Sequence, residues 1–252
     1  MKTFLKTYWK TLAFFAVMSL FGGFFTGIYL LDSYPADIQQ QILAQGIDAA
    51  MLGLIMAVQA MGYGIVLGAV GILLGKKTGL WKDETVIEKK PLMATLAVAL
   101  TGGLVMILSD ILFFGHYSEA IMSSYAVKPA IPYLIGTVTY GAVTEEIMLR
   151  LFWMSLLAFL LHRLFGKKTE FPSAAIVVTA NVIAALLFAA GHLPTTFQLL
   201  GNSPMIIARC FLLNGGIGLL FGELYRKYGL RYAMIAHGGC HVISKLIWIL
   251  FL

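Results

Sequence analysis

Seven apolar runs, each long enough to cross a bilayer, leave this chain few folds to adopt; they span roughly 11–31, 49–75, 91–115, 131–165, 173–193, 204–226 and 230–252. A hydrocarbon core of about 30 Å needs about 20 apolar residues in helical form. Lipid offers the backbone no hydrogen-bond partner, so such runs satisfy themselves as helices. Their lack of strict alternation argues against an outer-membrane barrel. Apolar residues make up 60% of the chain and charged residues 12%, against about a quarter charged in soluble domains. The expected fold is all-α, a multi-pass transmembrane helical bundle of about seven spans in one membrane unit, with residues 1–130 holding spans one to three and 131–252 the rest.

The net charge of +6 does not point to nucleic acid, because the basic residues sit in short clusters between the apolar runs. Lys2, Lys6 and Lys10 precede the first run, and Lys76, Lys77, Lys82, Lys89 and Lys90 follow the second. Arg163, Lys167 and Lys168 follow the fourth, and Arg226, Lys227 and Arg231 the sixth. The intervening loops are acidic or nearly uncharged. Basic and non-basic loops alternate, which predicts a cytoplasmic N-terminus and an outside C-terminus in a bacterial cell membrane. The first run is long for a signal-peptide core and no small-x-small cleavage site precedes Asp32, so it reads as a retained span. Cys210 and Cys240 lie within apolar runs and read as packing residues. The pairs Gly64/Gly68, Gly71/Gly75 and Gly218/Gly222 permit close helix approach.

An ionisable residue inside a span is costly and marks a functional site. The fourth run carries Glu145, Glu146 and Arg150, the fifth His192, and the seventh His237 and His241. Adjacent helix positions point about 100° apart, so the two glutamates face different neighbours. Glu146 and Arg150 stand four apart in the favourable order for an ion pair, which leaves Glu145 for proton chemistry. The same spacing also suits a charge pair that only locks helices. His237 and His241 share a helix face, a spacing that serves metal ligation or two donors aimed at one cavity. Asn181 and Asn214 read as interhelical hydrogen-bonding residues, Asp110 as paired near the outer surface, Glu223 as part of an interfacial ion pair, and Lys245 as snorkelling at the outer end.

The strings Glu145–Glu146–x–x–x–Arg150, Phe188–x–x–x–His192 and His237–x–x–x–His241 resemble the motifs of the CAAX-processing and bacteriocin-processing (CPBP, or Abi) protease family, with His241 where that family usually carries Asn. The resemblance covers about 131–252 and implies that this segment is the catalytic core of an intramembrane endopeptidase acting on a peptide or protein, as in leader-peptide, signal-peptide or CAAX-type processing. It implies Glu145 as the base that activates water with help from His192, Glu146 and Arg150 as orienting groups, and His237 and residue 241 as oxyanion donors. The family is described both as metalloproteases and as glutamate proteases. Glu145, His192, His237 and His241 are the zinc ligands in the first case; in the second, Glu and His account for water activation without a tightly held metal, and that is the expectation here. A proton-coupled transporter and a non-catalytic scaffold or immunity protein also use buried Glu and His; no inverted repeat of broken helices supports the transporter.

The motifs can meet at one depth. His237 lies about 10 Å into its span. The 131–165 run is about 52 Å as a helix, too long for the core, so either its hairpin with the next span projects into the cytoplasm or it tilts or breaks near Gly141.

Overall fold

The computed structural model describes residues 2–83, 86–166 and 169–252; Lys167 and Lys168, counted among the basic loop residues, lie outside them. Every regular element among the described residues is helical. Seven helical rods are long and apolar enough to cross a membrane: Thr3–Ser33, Ala49–Thr78, Lys89–Leu112, Ile131–Phe165, Ala174–Leu200, Pro204–Tyr228 and Leu230–Phe251. The protein is therefore a multi-pass membrane protein, as the apolar runs require.

In chain order the helices are α1 (Lys2–Ser33), α2 (Ala36–Ala44), α3 (Ala49–Thr78), α4 (Lys89–Leu112), α5 (Glu119–Tyr125), α6 (Ile131–Thr139), α7 (Ser155–Phe165), α8 (Ala174–Leu200), α9 (Pro204–Cys210), α10 (Ile217–Tyr228) and α11 (Leu230–Phe251). Their ends follow local chemistry. Asp48 caps α3 by accepting from the Met51 N–H at 2.8 Å, and Ser173 and Ser203 cap α8 and α9. Gly79 ends α3 in the left-handed conformation, at φ 71°.

The fifth span does not stop before Pro194, where the sequence places its end; α8 continues to Leu200 with Pro194 inside it. Proline removes one hydrogen bond, to the Ala190 carbonyl. Membrane helices tolerate that loss because packing partners and local adjustment satisfy the freed group.

Glycines set the packing. A Cβ at Gly23 or Gly27 of α1 would come within 2.6 Å of the Met56 or Leu52 carbonyl oxygen of α3. One at Gly22 would come within 2.7 Å of the Tyr140 backbone nitrogen, and one at Gly71 within 2.7 Å of Leu151. On the other flank, Gly102 and Gly103 of α4 abut Cys240 and Ile243 of α11. The first three spans thus hold the rod that carries Glu145 from one side and the helix that carries His237 and His241 from the other. Of the remaining small pairs, Gly222 makes room for Asn181, whose amide donates to the Leu219 carbonyl at 3.0 Å. Asn214 bonds within its own helical stretch, to the Cys210 carbonyl, rather than between helices.

Candidate active site

The rod from Ile131 to Phe165 is continuous but not uniformly α-helical. Between α6 and α7 it widens into π-helical turns over Tyr140–Glu145 and Ile147–Met154. Such turns are uncommon and cluster at functional sites. The irregularity expected near Gly141 is thus this widening, not a break. Gly141 is buried, and a Cβ on it would sit 3.1 Å from His237 Nε2 and 3.2 Å from His241 Nε2. Its missing side chain is what lets both imidazoles approach the rod.

The two glutamates occupy different environments. Glu146 is fully buried. Its Oε1 lies 2.8 Å from His237 Nδ1 and 3.1 Å from Arg150 Nη1. Arg150 donates from Nη2 to the Gly218 carbonyl at 2.8 Å, and its guanidinium lies between the rings of Phe188 and Phe221, at 5.0 and 5.5 Å. Glu145 keeps 18% side-chain exposure and stands between two histidines: Oε1 is 3.9 Å from His192 Nε2 and Oε2 is 3.7 Å from His237 Nε2. Both gaps are too long for direct hydrogen bonds. At such separations a water bonded to both atoms is the usual bridge.

Hydrogen-bond partners fix the tautomers. His192 Nδ1 is 2.9 Å from the Phe188 carbonyl, which only accepts, so Nδ1 carries the proton. His237 Nδ1 meets a carboxylate and likewise donates. In their neutral forms both histidines then turn a bare Nε2 toward Glu145. Arg150 balances Glu146, which leaves the Glu145 carboxyl group beside two imidazoles, an arrangement of groups able to exchange protons. His241 stacks on His237, with centroids 5.1 Å apart, and His237 stacks on Phe221 at 4.6 Å. Among the described residues, Glu146 Oε2, Arg150 Nη1, Thr144 Oγ1 and His241 Nδ1 are buried without a hydrogen-bond partner.

The structure therefore brings Glu145, Glu146, Arg150, His192, His237 and His241 into one cluster. Their donor types suit zinc, but their spacing does not. Among the described residues no group of three or more His, Cys, Asp or Glu side chains is placed to hold a metal ion. With His237 Nδ1 tied to Glu146 and His192 Nδ1 to Phe188, only the Nε2 atoms are left to ligate. Bringing them within about 2.1 Å of one ion would require the cluster to close further.

Two contributors were not legible as such in the sequence. Phe221 backs His237, and Gly218 offers its carbonyl to Arg150; a Cβ there would come within 2.9 Å of Arg150 Nη2. Both look like ordinary packing residues of an apolar span. The other polar positions are accounted for elsewhere. Asp110 accepts two bonds from Arg209 at 2.6 Å each and one from Tyr125 at 2.8 Å. Glu223 pairs with Arg226 and Lys227. Lys245 does not snorkel outward: it is 8% exposed, with Nζ 4.7 Å from the Tyr133 ring centroid and 5.9 Å from that of Trp248.

Residues 127–243, which include all six clustered side chains, match the family described as Type II CAAX prenyl endopeptidase Rce1-like. This is the CAAX-protease family that the three motifs resemble. No curated protein and no solved structure matches the chain.

Proposed function

We propose, from a chain whose residues 127–243 are those of a CAAX-type intramembrane protease family, that the protein hydrolyses a peptide bond with a water activated by Glu145 and the histidines beside it. The observation that carries this reading is the placement of the Glu145 carboxyl group between the Nε2 atoms of His237 and His192, at 3.7 and 3.9 Å. A water in either gap donates one proton to Glu145 and another to an imidazole, which exposes its lone pair to a carbonyl carbon. Glu145 takes the proton as the bond to carbon forms, then passes it to the departing amine. Glu146 holds His237 in its tautomer, and Arg150 holds Glu146.

His237 Nδ1 donates to Glu146, so neutral His237 has no proton at Nε2 for an oxyanion. His241 has no partner at Nδ1 among the described residues, so its proton is free to sit on Nε2. His241 is then the neutral donor for charge that develops on the substrate oxygen. Histidine serves in this role where the related motif carries Asn. The basic and non-basic loops orient the chain with a cytoplasmic N-terminus.

The test is a quenched-peptide library incubated with detergent-purified wild type, Glu145→Ala and His192→Ala, each with and without a chelator, with folding followed by thermal melting. The proposal expects cleavage by wild type that survives the chelator and disappears in both folded variants. Cleavage that persists in Glu145→Ala would assign these buried charges to transport or packing.

A further inference from the structure

Lys245 is a buried cation that the proposed hydrolysis does not use. No carboxylate of the described residues lies within ion-pair distance of it, and no hydrogen bond from its ammonium is found among them. Two aromatic rings, Tyr133 and Trp248, flank it, and Tyr29 packs edge-on against Tyr133 at 4.9 Å. Rings offset part of the cost of burying an ammonium but accept none of its three protons in a conventional hydrogen bond.

The position is not a lipid contact. On α11, Val242, Leu246 and Leu250 are 43%, 50% and 67% exposed and mark the outward stripe, whereas Lys245 is 8% exposed and turned to α6. It lies one turn beyond His241 and two beyond His237. The two facing elements run antiparallel: His241 meets Gly141, and Lys245 meets Tyr133, eight positions earlier on the same rod. The ammonium therefore stands along the α6–α11 seam that leads away from Glu145. Along α11 it is about 12 Å from His237. An extended peptide covers that length in three to four residues at about 3.3 Å each.

Resting on the peptidase reading, we propose that Lys245 is a specificity residue that receives a carboxylate of the substrate, three to four residues from the scissile bond. The missing partner of the buried cation is then supplied by the peptide, and the aromatic walls accept its apolar side chains.

The test reads binding, so it does not depend on turnover. A fluorescent apolar decapeptide is titrated against the detergent-purified Glu145→Gln protein in three forms: free C-terminal acid, C-terminal amide, and amide with one internal Glu. The same titrations are made after adding Lys245→Met or Lys245→Arg. The expected result is that at least one carboxylate-bearing peptide binds about ten- to a hundredfold more tightly than the plain amide. The preference disappears with Met and survives with Arg, and the preferred form tells a chain end from an acidic side chain. The proposal is overturned if no peptide binds, if acid and amide bind alike, or if Met weakens all three equally. It is also overturned if the Lys245 effect follows the anionic lipid content of nanodiscs rather than the peptide. Failure of the peptidase reading is separately visible: wild type would then bind the preferred peptide without cutting it.

Discussion

Two clusters of buried charge sit within the membrane spans, and they are built differently. In the Asp110–Arg209–Tyr125 cluster both carboxylate oxygens are engaged: Arg209 donates to each at 2.6 Å, and Tyr125 adds a bond at 2.8 Å. In the Glu145–Glu146–Arg150 cluster, Glu145 stands 3.7 and 3.9 Å from its two histidines, and Glu146 Oε2 and His241 Nδ1 have no hydrogen-bond partner among the described residues. An unmade hydrogen bond in an apolar interior is expensive. A cluster that closes on itself ties helices together; a cluster with open valences is kept for something that arrives. The difference separates a self-satisfied ion pair from one with unfilled valences, although residue types alone make the two look alike.

Substitutions should sort by this difference. The largest effect falls on the open cluster: His192→Ala is expected to slow peptide cleavage by about a hundredfold or more with an unchanged melting midpoint. Asp110→Asn should do the reverse, because it leaves the half-buried Arg209 without its counter-charge. A destabilisation of about 3–5 kcal/mol would appear as a melting midpoint lowered by several degrees, with the activity per folded molecule kept within about twofold. Pairing it with Arg209→Met should recover much of that loss, since no lone charge remains. Gly141→Ala places a methyl against His237 and His241 and should cost about tenfold in kcat, roughly what a small misplacement of reacting groups produces. Phe221→Leu removes the stack behind His237 and should reduce the rate only about threefold, as one aromatic contact warrants. If Asp110→Asn lost activity without losing stability, or His192→Ala lost stability without losing activity, the contrast would collapse.

The sequence made the spans legible, because hydropathy is a property summed over a segment and survives any error about which face points where. It also brought out Glu145, Glu146, Arg150, His192, His237 and His241, since charged and imidazole groups stand out against apolar surroundings. What it did not show depends on tertiary partners. Pro194 looked like a helix end, but α8 continues past it to Leu200. Lys245 looked like an outward anchor, but Tyr133 and Trp248 draw it inward. Arg209 gave no sign of its partnership with Asp110, which lies 99 residues earlier. Nor does any local signal distinguish Gly218, whose carbonyl holds Arg150, from Gly222, which only makes room for Asn181.

The most direct measurement is the rate at which Glu145→Gln, matched to wild type in melting midpoint, cleaves a peptide that wild type cleaves. Gln keeps the shape of Glu145 and its contacts with His192 and His237 but cannot accept the proton of an attacking water. The account predicts a loss of about a thousandfold or more. A rate within tenfold of wild type would show that the carboxylate between the two histidines is not the base.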